Sequence, residues 1–128
     1  KSDAYSFLVE NIKGLEVAGK KAEQKIEQIE SNNCKLKYTF TETDSKGISS
    51  ENSYEFILSD IDCIKSEIEI SSKDVKINLV TKEKQTLVKP YKNGEPGNFI
   101  YTIEIYVNDV LTAKKIMAAI STLSKECK

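Results

Sequence analysis

The spacing of hydrophobic residues changes near residue 34 and again near residue 108. Before residue 34, apolar residues recur at intervals of three and four, which places them on one stripe of an amphipathic helix. Gly14 and Gly19 interrupt this pattern, and each costs about 1 kcal/mol relative to alanine inside a helix. Residues 1–31 are therefore predicted to form an N-terminal helical segment. It has a first helix to about Lys13, a break near the glycines and a second stretch to Ser31. The stripe consists of Leu8, Ile12, Leu15, Ala22, Ile26 and Ile29.

From Cys34 onwards apolar and polar residues alternate, which is the period of a β-strand with one buried face. In the first such segment Cys34, Leu36, Tyr38 and Phe40 share a face. The fifth segment is predicted to stop at Pro90, since proline cannot donate a ladder hydrogen bond. Short turns join the segments, so consecutive strands are predicted to pair antiparallel. Residues 34–107 thus form six to seven antiparallel strands, the later ones near 54–58, 64–70, 75–79, 85–89 and 99–107.

Apolar faces can be specified for the third and the last of these strands. The third strand is predicted to place Ile64, Ile68 and Ile70 on its apolar face, opposite lysine and glutamate. The last strand has the strongest alternation. Its predicted buried face carries Phe99, Tyr101, Ile103, Ile105 and Val107.

Residues 108–127 return to helical spacing and are predicted to form one amphipathic helix, with Asn108 or Asp109 as its N-cap. A sheet with one wet face must bury its other face. We therefore expect the strands to curl into a half-open barrel that the final helix caps. The fold class is α+β, and the chain is predicted to be a single domain over residues 1–128. The apolar stripe of the helix is Ala113, Ile116, Met117, Ile120, Leu123 and Cys127.

The composition gives no sign of a nucleic-acid-binding protein. The chain has 128 residues, with 19 basic and 20 acidic residues and a net charge of -1. This balance lacks the positive field that binding to phosphate backbones requires. Hydrophobic residues make up 39% and charged residues 30% of the chain, which is typical of a folded domain. No nucleic-acid partner is predicted.

Catalytic and metal-binding patterns are also missing from the sequence. The chain contains no histidine, so a cysteine nucleophile would lack its usual base. No glycine-rich phosphate loop and no GxSxG sequence is present. Asp60 and Asp62 offer carboxylates for a hard cation, but their spacing is not that of a calcium loop, and a turn in which aspartate binds backbone groups is favoured. We predict no enzyme, no metal site and no cofactor.

One lysine-rich stretch is a candidate binding surface. Lys82, Lys84, Lys89 and Lys92, with Tyr91 among them, form a possible site for an anionic ligand or a lipid headgroup. The alternative is a solvated strand edge, where lysine discourages pairing with other edges. Glutamates within the stretch weaken its positive field, which favours the strand edge.

The three cysteines are compatible with two arrangements. No two of them have the CxxC spacing of zinc or redox motifs. Either all three are free and partly buried, as small hydrophobic residues, or Cys34 and Cys127 form one disulfide and leave Cys63 free. Connectivity cannot be deduced from sequence alone.

The order of antiparallel strands followed by one closing helix, over about residues 34–127, resembles the pleckstrin-homology-like (PH-like) fold. The segment "DVLTAKKIMAAISTLSKEC" is similar to the closing helix of a set of uncharacterised bacterial PH-like domains. The opening "SDAYSFLVENIKG" resembles their leading helix. In the closing helix the shared pattern is A-x-x-[IL]-x-x-A-[IL]-x-x-L-x-x-x-C, carried here by Ala113, Ile116, Ala119, Ile120, Leu123 and Cys127.

This resemblance implies a fold and a compartment, but no chemistry. Such domains are commonly exported, and the chain starts at Lys1 instead of Met, so a periplasmic or secreted location is expected. Lipid-binding PH domains use basic residues in the loop after the first strand. Here that loop is "TETDSKGISSENS", with Lys46 as its single basic residue, which does not favour phosphoinositide binding.

The sequence therefore predicts a non-catalytic interaction or structural module, with an unknown protein partner or self-association. The alternative is binding of an anionic ligand or of an anionic membrane surface through the lysine-rich stretch. A contiguous exposed apolar patch favours the first hypothesis. Salt-sensitive binding to anionic surfaces favours the second.

Overall fold

The computed structural model describes residues 3–17, 20–29, 32–71 and 74–127. Over these residues the chain forms two α-helices, nine β-strands and two short 3-10 turns, which confirms the α+β class with a helix at each end of the strands. The elements are α1 (Asp3–Asn11), β1 (Leu15–Val17), β2 (Lys20–Ile29), β3 (Asn32–Thr43), β4 (Ser49–Ile57), β5 (Glu67–Ile70), β6 (Val75–Val80), β7 (Lys89–Lys92), β8 (Glu95–Pro96), β9 (Thr102–Val107) and α2 (Val110–Glu126), with 3-10 turns at Leu58–Asp60 and Lys82–Lys84.

The strands are divided between two sheets, and every pairing within them is antiparallel. The larger sheet has the order β1-β2-β3-β4-β7-β8, and the smaller has the order β5-β6-β9. Two isolated residue pairs, Ile61 with Thr81 and Val88 with Ile100, lie outside the named strands. The second pair connects the segments that lead into β7 and β9, so the chain passes from one sheet to the other there.

The core lies between the two sheets and the helices. α2 contacts β5, β6 and β9, and its predicted apolar stripe is confirmed, since Ala113, Ile116, Ile120 and Leu123 are buried. Asp109 is the N-cap, and its side chain accepts a hydrogen bond of 2.7 Å from the N–H of residue 112. α1 packs against α2 and adds two buried residues, Leu8 and Ile12, to the core.

The predicted second helical stretch is wrong, because the chain forms strands β1 and β2 there. Ala22 and Ile26 are four residues apart, which fits either a helical stripe or one face of a strand. The inward position between them is Gln24, a polar residue, so the alternation is hidden in the sequence. Pairing of β2 with β3 along its length decides the outcome. Gly19 and Ser31, which marked the predicted break and end, lie outside the described residues.

Gly14 begins this altered segment and is required by a close approach of the chain to β2. A Cβ atom at this position would lie 2.8 Å from a carboxylate oxygen of Glu23 and 3.2 Å from the carbonyl oxygen of Ala22. With a larger residue the Glu23 side chain would have to turn away, and the backbone at Ala22 would have to shift slightly.

The fifth predicted strand, at 85–89, is also misplaced. Residues before Val88 are irregular, and β7 begins at Lys89 and includes Pro90. The carbonyl oxygen of Pro90 accepts a hydrogen bond from Gly97, so the missing N–H of the proline falls at the end of the two-residue pairing with β8. A proline is tolerated at such a ladder end.

Two predicted strand faces are wrong at their ends. Phe99 and Tyr101 are 53% and 38% exposed, because β9 begins only at Thr102 and the alternation does not continue across the bend at residue 101. Ile64 is 94% exposed, since it lies in a turn before β5, and Ile70 is exposed as well. Within the described part of the chain, no helix has both the length and the apolar character needed to span a membrane.

Candidate functional site

The larger sheet has one face in the core and one facing away from it, which we call the outer face. Leu36 and Tyr38 of β3 are fully buried, so their neighbour Lys37 points outward, because successive side chains on a strand alternate. The same alternation holds on β4, β2 and the segment from Val88, where the neighbours of the buried Phe56, Ile26 and Val88 point outward. The outer face carries Lys25, Glu27, Lys35, Lys37, Thr39, Ser53, Glu55, Ile57, Lys89 and Tyr91.

A row of alternating charge crosses the middle of the outer face. Glu27 pairs with Lys37, Lys37 with Glu55, and Glu55 with Lys89 in the strand register. We call these four residues the charged row. Cross-strand pairs of opposite charge each contribute roughly 0.2–1 kcal/mol. The Lys89 ammonium also lies 5.5 Å from the centroid of the Tyr91 ring.

The next row along the strands contains two small hydroxyl residues. Thr39 and Ser53 are directly paired, and only 5% and 4% exposed, although they lie on the outer face. The Thr39 hydroxyl has no hydrogen-bond partner among the described residues. A buried polar group without a partner costs about 1–3 kcal/mol, so this hydroxyl requires an explanation. Lys25 and Tyr91 end the row on either side.

Four large hydrophobic residues are exposed around the Val88–Ile100 pair. Val88 is fully buried and exchanges two backbone hydrogen bonds with Ile100, each of 2.9 Å. The residues flanking this pair therefore point outward. Ile57, at the end of β4, lies on the same face two residues beyond Glu55. We call this the apolar patch; it consists of Ile57, Leu87, Phe99 and Tyr101, which are 42%, 39%, 53% and 38% exposed.

The sequence missed the apolar patch because it placed Phe99 and Tyr101 in the core. The loop "KNGEPGN" just before residue 99 could have indicated the patch. Its turn residues suggest that the regular strand starts only after the loop and the residues that follow it.

The four lysines of the predicted anion-binding stretch do not share one face. Lys89 lies on the outer face, whereas Lys92, three residues along β7, points to the opposite side and is paired with Asn52. Lys82 and Lys84 lie in the 3-10 turn before β7, with Glu83 between them. The structure therefore brings Lys89 close to the apolar patch and places Lys92 elsewhere. The anion-binding hypothesis stays a prediction.

Asp60 and Asp62, the aspartates considered for a cation, lie at a turn between β4 and β5. The Asp62 carboxylate accepts hydrogen bonds of 3.1 Å from the N–H groups of both Ile64 and Lys65. This is the local backbone role expected of aspartate in a turn. Among the described residues no group of three or more cysteine, aspartate or glutamate side chains is arranged to hold a metal ion.

Two open grooves have mixed linings. One, of about 600 Å³, lies where β4, β7 and β8 meet and is lined by Tyr54, Lys92 and Glu95 among others. The other, of about 770 Å³, lies beside the turn at Ile64 and is lined by residues that include Lys84. Of the four predicted lysines, Lys92 lines the first groove and Lys84 the second, whereas Lys82 and Lys89 line neither.

The inner face of the larger sheet holds a buried polar network centred on Gln24. Its side-chain amide exchanges hydrogen bonds of 2.9 and 2.7 Å with the backbone N–H and carbonyl of Tyr106 in β9. It also donates to the carbonyl of Lys13 at 3.0 Å and accepts from the hydroxyl of Tyr38. The Gln24 side chain therefore occupies the place of a neighbouring strand at the edge of the smaller sheet.

The tyrosines near this network remain protonated over the physiological range. Burial raises the pKa of Tyr38 far above its ordinary value of 10.0. Burial, with the nearby Glu104 carboxylate, also raises the pKa of Tyr54 and Tyr106. Glu104 accepts a hydrogen bond of 3.0 Å from Lys76, and that bond raises the pKa of Lys76. The Tyr38 hydroxyl therefore serves as a hydrogen-bond donor to Gln24 within the larger sheet, and the Gln24 amide joins that sheet to β9.

Two of the three cysteines are joined. Cys34, early in β3, forms a disulfide with Cys127, directly after α2, and their Cα atoms are 5.6 Å apart. Cys63 is free and half-buried. Burial raises the pKa of its thiol, although a hydrogen bond with Ser121 acts in the opposite direction. A raised pKa reduces the fraction of reactive thiolate, so Cys63 is poorly suited to act as a nucleophile.

Comparison with known proteins gives no significant match to a family model, to a curated protein or to a solved structure.

Proposed function

We propose that this protein is a non-catalytic interaction module that binds another protein surface through its outer face. The observation that carries the proposal is the apolar patch beside the charged row. Exposed apolar residues that are contiguous and bordered by polar ones are typical of protein-binding surfaces. The partner surface would present apolar side chains to the patch and charges complementary to the row.

Two further observations support a module of the PH-like kind. The chain has antiparallel strands followed by one amphipathic closing helix, which is the order of that fold. The Cys34–Cys127 disulfide is compatible with the exported location that the resemblance implies, because disulfides persist in oxidising compartments. A secreted or periplasmic bacterial module is therefore part of the proposal.

The test places a photo-crosslinking amino acid at Phe99, the most exposed residue of the apolar patch, in the cells that make the protein. The expected result is a discrete crosslinked product at this site. A Leu87→Glu substitution in the same chain puts a charge into the patch and is expected to reduce the product at least about tenfold, as for loss of a central contact residue.

The matched control carries the crosslinker at Ile64, which is even more exposed but lies in the turn before β5. Position 64 is expected to give no such product. Equal crosslinking at both positions, or none at position 99, would overturn the proposal.

A further inference from the structure

The charged row has a property beyond pairing within one sheet. It reads Glu27, Lys37, Glu55, Lys89 from β2 to β7. Read in the opposite direction, it carries the opposite charge at every position. A surface that is complementary to this row is therefore the same row reversed, which a second copy of the chain supplies.

Only one orientation of a second copy achieves this complementarity. Two outer faces can meet through a twofold axis that lies in the interface, either across the strands or along them. An axis that crosses the strands at the charged row places each strand opposite the same strand of the second copy, so that Glu27 meets Glu27 and the row repels. An axis along the strands, between β3 and β4, reverses the strand order. Glu27 then faces Lys89 of the second copy, and Lys37 faces Glu55 of the second copy.

The same rotation matches the neighbouring row. It places Thr39 opposite Ser53 of the second copy, where small side chains allow two sheets to approach. At the ends of this row Lys25 faces the ring of Tyr91 of the second copy, an arrangement favourable for a cation–π contact.

The row on the other side of the charged row, which contains Lys35 and Ile57, gains apolar cover. Lys35 pairs with Ile57 within one sheet, so the rotation places the stem of Lys35 from one copy over Ile57 of the other. Lysine stems cover apolar surface while their ammonium groups stay in water. The contact occurs twice in a symmetric interface, so the exposed Ile57 side chain of each copy is shielded by Lys35 of the other.

We propose that the partner of the outer face is a second copy of this chain, and that the protein forms a symmetric dimer with aligned, face-to-face larger sheets. Such an interface is isologous, and aligned packing of two sheets at about 10 Å is a common arrangement. The inference rests on the proposed function, because it names the partner for the same face.

The decisive experiment uses two single charge reversals, Lys37→Glu and Glu55→Lys. The first chain has two acidic groups at positions 37 and 55, and the second has two basic groups. In each homodimer like charges face one another, so each variant alone is expected to raise the dimer dissociation constant at least about tenfold. Mass from light scattering after size exclusion measures this directly.

Mixing the two variants in equal amounts is expected to restore a dimer, because the acidic pair of one chain faces the basic pair of the other. The repulsion within each chain is unchanged by mixing, so recovery reports contact between copies alone. The exposed Lys114 of α2 provides the control, since Lys114→Glu leaves the outer face intact and is expected to keep the wild-type mass. Circular dichroism confirms that each variant is folded.

Two outcomes overturn the dimer. One is a wild-type chain that stays monomeric at about 1 mM, a concentration at which even a millimolar interface is populated. The other is a mixture of the two variants that fails to associate while both are folded. If either occurs and the crosslink at Phe99 still identifies a different protein, the interaction module stands and only the second copy is excluded. If the crosslink also fails, both proposals fall.

Discussion

At the scale of single residues, the Gln24 side chain joins the larger sheet to the smaller one. It bonds to the backbone of Tyr106 in both directions and also to Lys13 and Tyr38. A buried network of this kind is stabilising only when all its members have partners, because each unpaired group costs the full price of desolvation. The contact between β2 and β9 therefore depends on one amide.

Replacing Gln24 by alanine is expected to lower the free energy of unfolding by about 3 kcal/mol or more. The substitution leaves the N–H and carbonyl of Tyr106 and the hydroxyl of Tyr38 without this partner, at about 1–3 kcal/mol for each buried group that stays unsatisfied. Urea denaturation followed by circular dichroism measures the change.

The control is Gln85→Ala, the same substitution at an exposed position, which is expected to change stability by less than about 0.5 kcal/mol. If Gln24→Ala is as stable as Gln85→Ala, the network does not hold the sheets together.

At the scale of elements, the sequence correctly predicts the helices and strands in which nearly every inward-facing residue is apolar. β3, β6 and α2 keep an apolar residue at nearly every inward position, so their faces follow from the alternation or the helical stripe. The inward residues of β2 are Ala22, Gln24 and Ile26. Because Gln24 is polar, the sequence of β2 does not show the alternation of apolar and polar residues that predicts a strand. Its pairing with β3 is a tertiary contact that no local pattern contains.

The candidate site was harder to predict than the fold, for a related reason. The charged row takes one residue from each of four strands, so it exists only once the register between strands is fixed. In the sequence Lys37, Glu55 and Lys89 are ordinary charged residues of solvated strand faces, and Glu27 lies in the segment predicted to be helical. The lysine-rich stretch, by contrast, is conspicuous in the sequence, but the structure turns its members to different sides.

The cap of α2 gives a prediction with a defined pH dependence. The N–H of Thr112 lowers the pKa of Asp109 below its ordinary value of 3.8. The folded state thus prefers the charged carboxylate. Its stabilising contribution is present above the unfolded pKa and is lost as the pH falls through the folded pKa.

The Asp109→Asn variant isolates this effect, because asparagine also caps helices but does not titrate. The wild type is expected to be the more stable of the two at pH values above 3.8, and the difference is expected to vanish as the pH falls further. Denaturation midpoints of both proteins between about pH 2 and pH 6 measure it. A constant difference over that range would show that the charge of Asp109 does not contribute.

At the scale of the whole molecule, the disulfide closes the largest loop available to the described cysteines. Cys34 and Cys127 are 93 residues apart in sequence, and the bond joins β3 of the larger sheet to the end of the helix that covers the smaller one. A crosslink over so long a loop stabilises chiefly by limiting the conformations of the unfolded chain, typically by 2–4 kcal/mol, on the order of the loop-entropy estimate.

Replacing both Cys34 and Cys127 by serine is therefore expected to lower the free energy of unfolding by about 2–4 kcal/mol. Because the bond acts mainly on the unfolded state, the native contacts of α2 are expected to survive, and the variant should fold at lower stability. A reducing agent should lower the stability of the wild type to that of the variant and leave the variant unchanged.

A substitution of the third cysteine is the control that distinguishes loss of the disulfide from loss of a cysteine side chain. Cys63 is free, so Cys63→Ser should keep the wild-type response to the reducing agent in full. Cys34 lies on β3 near Lys37, but it shares the core face with Leu36, opposite the charged row. Removal of the bond should therefore leave the mass of the proposed dimer unchanged. If reduction leaves the stability of the wild type unaltered, the disulfide between β3 and the end of α2 does not stabilise the fold.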